Sequence, residues 1–118
     1  MKYITYSQQW DIHVSHHYIF FIDEKVVASY VISEMKKRTY LSGFYIQPQF
    51  RGLKLSFEMM DTIPPYKNLW LKVRCDNLIA KKLYSKYGFT KVRGYDEEDN
   101  GFMYEWMRKK KLKDILDD

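Results

Sequence analysis

Tyr40–Ile63 reads YLSGFYIQPQFRGLKLSFEMMDTI, and the reading of this stretch decides the fold. Its first part, Tyr40–Ile46, is rich in aromatic and β-branched residues, the composition of a strand. Pro48 ends it, and Gln49-Phe50-Arg51-Gly52 forms a turn before an apolar run restarts. In that run Leu53, Leu55, Phe57 and Met59 alternate with Lys54, Ser56 and Glu58 as in a strand, while Leu53, Phe57 and Met60 also fit one helical face. Helix is the better reading: Leu, Lys, Glu and Met are good helix formers, no β-branched residue occurs before Thr62, and Pro64-Pro65 is a definite stop. A strand feeding a glycine turn and a helix can cradle phosphate. The first N–H groups of a helix lack partners within it, the dipole puts partial positive charge there, and Gly52 lets the backbone come close to a diphosphate. The same pattern also serves as a plain turn.

Upstream, Tyr18–Ile22 and Val26–Ile32 are two β-rich runs joined by the charged turn Asp23-Glu24-Lys25, a hairpin. A second turn, Glu34 to Thr39, leads into the Tyr40 strand, so three antiparallel strands precede the phosphate turn. Nearer the start, Tyr3–Tyr6 fits a short strand, and Ser7–Val14 a turn or one helical loop with Trp10 and Ile12 turned inward. His13, His16 and His17 are of a ligand type, but no carboxylate or cysteine flanks them at ligand spacing, so no metal is expected.

Downstream, Leu69–Val73 is a further strand. Asp76 or Asn77 can cap the next helix, on which Ala80, Leu83, Tyr84 and Tyr87 share a face while Lys81, Lys82, Ser85 and Lys86 lie on the other side. Gly88 stops this helix where left-handed geometry is needed. Phe89–Tyr95 and Gly101–Arg108 are two closing strands around the acidic loop Asp96–Asn100.

The 118 residues make one domain, expected over 1–108, with 109–118 as a charged tail. Hydrophobic residues at 46% and charged residues at 30% describe a soluble globule with no membrane-spanning run, and the first residues lack the order of a signal peptide, so a cytoplasmic location is expected. The single cysteine, Cys75, excludes an internal disulfide and should be a reduced, partly buried thiol. A net charge of +5 favours polyanionic partners, but part of it sits in the tail from Arg108 to Lys113, and the eleven tyrosines are scattered through strands. Neither argues for nucleic acid.

Two segments carry a family resemblance. IQPQFRGL, from Ile46, resembles the strand-Pro-x-aromatic-Arg-Gly passage of the GNAT superfamily of N-acetyltransferases. VRCDNLIAKKLYSKYGF, from Val73, is similar to that family's Asn-x-x-Ala-x-x-Leu-Tyr-x-x-x-Gly-Phe helix at every diagnostic position. The resemblance covers Tyr18 to Arg108 and implies an α/β (α+β) fold, a mostly antiparallel mixed sheet with two main helices. It implies acetyl-CoA as co-substrate, its pyrophosphate held by backbone amides of Gln49, Arg51, Gly52, Leu53, Lys54 and Leu55. It further implies main-chain groups of Phe44 and Ile46 on the pantetheine arm and thioester, Asn77 beside that arm, and Tyr84 as general acid.

The departures from the family pattern matter equally. Lys54 and Ser56 stand where the family has glycines, so Lys54 either crowds the phosphates or lends them a cation. The Tyr40–Ile46 strand carries no carboxylate, which leaves Asp23, Glu24, a water chain or no general base. Only about a dozen residues occupy the place of the family's two N-terminal helices, which usually shape the acceptor pocket. An N-acetyltransferase acting on a primary amine of a protein or small molecule is expected, with the acceptor undetermined and a dimer that completes the pocket as one option. The alternative is a fold that lost turnover and binds a protein or nucleic acid.

Overall fold

The computed structural model describes residues 1–52 and 54–110. The chain divides into two compact units, Met1–Ile63 and Pro64–Asp118. Together the described residues hold eight mostly antiparallel strands and two α-helices, an α+β fold.

In the first unit four strands follow one another as a meander: β1 (Lys2–Gln9), β2 (His13–Ile22), β3 (Lys25–Met35) and β4 (Thr39–Ile46), each antiparallel to the next. The turn between β2 and β3 is Asp23-Glu24, both at positive φ (49° and 66°), a backbone whose twist matches the flanking strands. One face of the meander is apolar, with Tyr18, Phe20, Ala28, Tyr30, Ile32 and Leu41 buried. The helix α1 (Leu55–Asp61) buries Leu55, Met59 and Met60. Thr62 at its end donates to the Met59 carbonyl (2.6 Å), so the Tyr30 hydroxyl donates to Thr62 Oγ1 (2.7 Å) and pins the helix to the sheet.

Helix is therefore the right reading of the run after Gly52, but its buried face is Leu55, Met59 and Met60. Phe57 is half-buried, and Leu53 lies outside the described residues. The start of the chain differs more. β1 is a full strand of eight residues, and only Trp10–Ile12 separates it from β2, so the N-terminal helix pair is absent. Trp10 and Ile12 do not turn inward: they are 49% and 73% exposed, because a three-residue turn brings no layer to cover them. The Trp10 indole instead stacks on His13 and donates to Ser15 Oγ (3.0 Å).

In the second unit β8 (Phe102–Lys110) pairs with β5 (Asn68–Arg74), and with β6 (Thr90–Lys91) and β7 (Glu97–Asp99). Leu69, Trp70, Leu71, Val73, Phe89 and Met107 are buried. The helix α2 (Leu78–Lys86) ends at Gly88 (φ +93°), where the Gly88 N–H donates to the Ser85 carbonyl and the Phe89 N–H to that of Tyr84. This is a Schellman cap, and its apolar contact is the edge-on packing of Tyr84 on Phe89 at 5.9 Å.

Two expectations fail here. Phe89–Tyr95 contributes a strand of only two residues, and the acidic segment is not a loop: Glu97–Asp99 pairs with β8 through an Asn100-Gly101 turn at φ 51° and 83°. Asn-Gly is the strongest short hairpin signal, and it outweighs the run of carboxylates. β8 also runs past Arg108 to Lys110, and the rest of the expected tail, 111–118, lies outside the described residues. No helix among the described residues is long and apolar enough to cross a membrane.

Candidate functional site

β4 is not a regular strand. Its register against β3 shifts between Ser29 and Val31, so that Gly43 and Phe44 together oppose Tyr30. Gly43 sits at φ +60°, the left-handed residue such a bulge needs, and a Cβ there would come no closer than 3.9 Å to Val31. A bulge interrupts the ladder locally, and here it does so at Phe44, a position the family resemblance assigns to the ligand. The Phe44 ring itself stacks inward on Tyr30 at 6.1 Å.

At the end of β4 the chain turns through Pro48–Phe50, a short 3-10 segment. Arg51 spends its side chain on the fold: Nε donates to the Ile46 carbonyl (2.8 Å), and the guanidinium lies 5.3 Å over the Tyr45 ring. That carbonyl keeps one lone pair for anything else, so Ile46 has less to offer than its assignment implied. Gln49 donates to the Gln47 side chain (3.0 Å), which in turn donates to the Val26 carbonyl (2.7 Å). The loop is thus tied to β3 and β4 by side chains, and the turn itself spends two amides, Phe50 N–H on the Gln47 carbonyl (2.9 Å) and Arg51 N–H on that of Pro48 (3.2 Å), so Arg51 has no free amide for the pyrophosphate its assignment implied. Gly52 is at φ +83° with nothing within 4 Å of a Cβ. Lys54 is also left-handed (φ 61°, ψ 20°) and directly precedes α1. A lysine holds there the backbone that glycine would adopt freely, at a cost of about 1–2 kcal/mol.

In the second unit Asn77 caps α2, its Oδ1 accepting the Ala80 N–H (3.1 Å). Asp76 is not the cap because Arg74 engages both its oxygens (3.0 and 2.8 Å), which holds its carboxyl below the ordinary range. The Asn77 carbonyl being used, its part toward a ligand falls to the NH2 end. Tyr84 is buried, and burial pushes its phenol up to about 12. One turn earlier, Lys81 is not on the solvent side as the helical pattern suggested. Its Nζ lies 2.6 Å from Oε1 of buried Glu105 and 3.2 Å from the Cys75 carbonyl. The hydrogen bond it donates to Glu105 raises the Lys81 pKa, so the ammonium is fixed in its charged form. This pair anchors α2 to β8. Its sequence signal is Glu105 itself, a carboxylate in phase with Met103 and Met107 on a closing strand, which demands a cation. Cys75 is a free, half-buried thiol.

The three histidines do not converge. His13 and His17 lie on one face of β2 and His16 on the other, where it bridges Ser7 and Glu34 at 2.6 Å each. His17 stacks on Tyr6 at 4.6 Å. Among the described residues no group of metal-ligating side chains comes together.

The sequence matches the family described as "Acetyltransferase (GNAT) domain" over residues 2–111. The chain belongs to the GNAT acetyltransferases. Solved structures agree in fold. An acetyltransferase from Bacillus subtilis in complex with CoA is 14% identical, with a TM-score of 0.68, over 83% of this chain and 78% of that one. A spermidine N-acetyltransferase from Vibrio cholerae is 18% identical, with a TM-score of 0.66, over 80% and 64% of the two chains. A putative phosphinothricin N-acetyltransferase is 18% identical, with a TM-score of 0.67, over 80% and 70%. No curated protein matches the sequence at a significant level.

In the loop of this GNAT domain, open space over Gly52, a second left-handed residue, the first amides of α1 and the exposed Lys54 all occur within four residues. Lys54→Gly tests the cation. Relief of left-handed strain and the greater unfolded freedom of glycine nearly offset, so stability should move by less than about 1 kcal/mol. Acetyl-CoA affinity should fall more at low salt than at high salt. Tighter binding by the variant would show that the lysine obstructs the loop.

Tyr84 yields a pH test. Its folded pKa of about 12 exceeds the ordinary 10.0. The folded state therefore keeps the proton longer, and the associated stability is fully present below 10 and lost as pH rises towards 12. Two units correspond to about 3 kcal/mol as an upper value. Between those limits the parent's melting temperature should fall more steeply than that of Tyr84→Phe, whereas parallel curves would mean a solvated phenol.

Proposed function

We propose that this GNAT domain is an acetyl-CoA-dependent N-acetyltransferase that passes an acetyl group to a primary amine of a protein or small molecule. The observation that carries the reading is the backbone of Lys54: the loop has lost family glycines and kept the left-handed conformation they would supply. A structural neighbour solved with CoA supports the choice of co-substrate.

Acetyl-CoA supplies the activated acetyl thioester. Amides of Gln49, Gly52, Lys54 and Leu55 hold its pyrophosphate, with the Lys54 side chain adding a cation, while the bulged main chain at Phe44 and the N–H side of Ile46 take the arm. Asn77 contributes its NH2 group. Tyr84 stays protonated at any physiological pH and donates a hydrogen bond to the departing sulfur; its place rests on the family motif and on its own surroundings. Full transfer from a phenol near 12 to a thiolate whose acid is near 8.5 is uphill by about 3–4 pH units, so the contribution is stabilisation of developing charge and not a completed proton transfer.

Asp23 and Glu24 are poor candidates for the base. They form the β2–β3 turn, and at ~3.4 Å per residue the run from Glu24 to Tyr30, which faces the bulge, spans ~20 Å. A water chain, or an amine that arrives neutral, remains.

The test is thiol release from acetyl-CoA in the presence of polyamines, aminoglycosides and lysine-rich peptides. At least one class should accelerate release well above hydrolysis. Binding of acetyl-CoA with no acceleration by any of them would favour a binding module.

A further inference from the structure

β1 is a strand with one side in use. It pairs with β2 without a break from Lys2↔Phe21 to Gln9↔Val14, and among the described residues no strand lies along its other edge. All eight residues are exposed. Natural sheets guard such an edge with charge, proline, a bulge or shortness, because its unpaired N–H and C=O groups are a template for another strand. The second unit shows two of these devices: β6 has two residues, and β7 is Glu97-Glu98-Asp99. β1 shows none. Its sequence, KYITYSQQ, has no proline, no glycine, no bulge and a single charge at one end, with Tyr3, Ile4 and Tyr6 about half exposed. These side chains are already ordered by β2, Tyr6 by stacking on His17 and Tyr3 on Phe20, so pairing costs little further entropy.

We propose that the free edge of β1 binds β1 of a second copy of this chain, antiparallel, about a two-fold axis through Thr5. An axis normal to the sheet keeps each face continuous only when paired residue numbers sum to an even value. Centred on Thr5, it sets Ile4 against Tyr6 on both sides of the axis, Tyr3 against Ser7 and Lys2 against Gln8. Aromatic and β-branched side chains thus meet twice, and no like charges face each other. Centred on Tyr6, the axis would set Ile4 against Gln8 twice.

Sedimentation of three proteins tests the surface and its register. The parent should be a dimer. Ile4→Lys brings two ammonium groups to diagonal positions across the axis and should raise the dimer dissociation constant at least ~10-fold, with the near-ultraviolet circular dichroism of the fold retained. Ile4→Lys combined with Tyr6→Glu sets each ammonium against a carboxylate of the other copy and should restore the dimer, which added salt then weakens. A parent that stays monomeric throughout the concentration range overturns the proposal whether or not the variants fold. So does an Ile4→Lys dimer of parental strength, or a double variant no stronger than the single one.

Discussion

Tyr84→Phe is expected to turn over the best amine acceptor ~100- to 1,000-fold more slowly than the parent, with the loss in kcat and acetyl-CoA affinity unchanged. The substitution keeps the ring that packs edge-on against Phe89 in the cap of α2 and deletes only the hydroxyl. Fold and ligand affinity should therefore hold. The magnitude is that of removing one preorganised donor from a site of developing negative charge, which suits a phenol too basic to give its proton up outright. The rate should also be free of any titration of Tyr84 below pH 10, because the folded phenol ionises only near 12. Turnover by the variant at the parental rate would make Tyr84 a packing residue and no more.

The second large effect is expected at Gly52. Gly52→Glu meets no atom within 4 Å of its Cβ, so the fold loses only the left-handed strain of about 1–2 kcal/mol. The bound diphosphate, however, would face a carboxylate. Two unit charges ~4 Å apart at an effective dielectric of about 20 repel by ~4 kcal/mol; at an exposed loop about half of that survives, equivalent to ~30-fold in affinity. Titration calorimetry of the variant should show that loss, shrinking as salt is added. Unchanged affinity would move the pyrophosphate away from the loop.

The residues that revealed the fold are those with local physical meaning. Pro48, Gly52 and Pro64-Pro65 marked the loop and the end of α1, Gly88 marked the cap of α2, and Asn77 its start, all of which the structure shows. What stayed hidden depends on partners distant in sequence. The β4 bulge needs the register of β3, and Gly43 alone does not announce it. Lys81 reads as solvent-facing until Glu105 is folded against it. Trp10 and Ile12 look like core residues by type alone, yet the turn that carries them has nothing above it. The acidic Glu97–Asp99 reads as a loop because three carboxylates rarely suit a strand, but pairing with β8 needs only their backbone, and Lys72 answers Glu97 at 3.3 Å. In the site, the side chains of Arg51 and Gln49 hold the loop's shape, bonds to Ile46 and Gln47 that the sequence does not announce.

Every step of the proposed chemistry requires that the domain bind acetyl-CoA. Calorimetric titration of the parent with acetyl-CoA should show saturable binding, with CoA competing for the same site. At a hundredfold excess over its dissociation constant the ligand should stabilise the fold by about 2.7 kcal/mol in a parallel thermal melt. No heat and no thermal shift at millimolar acetyl-CoA would contradict it.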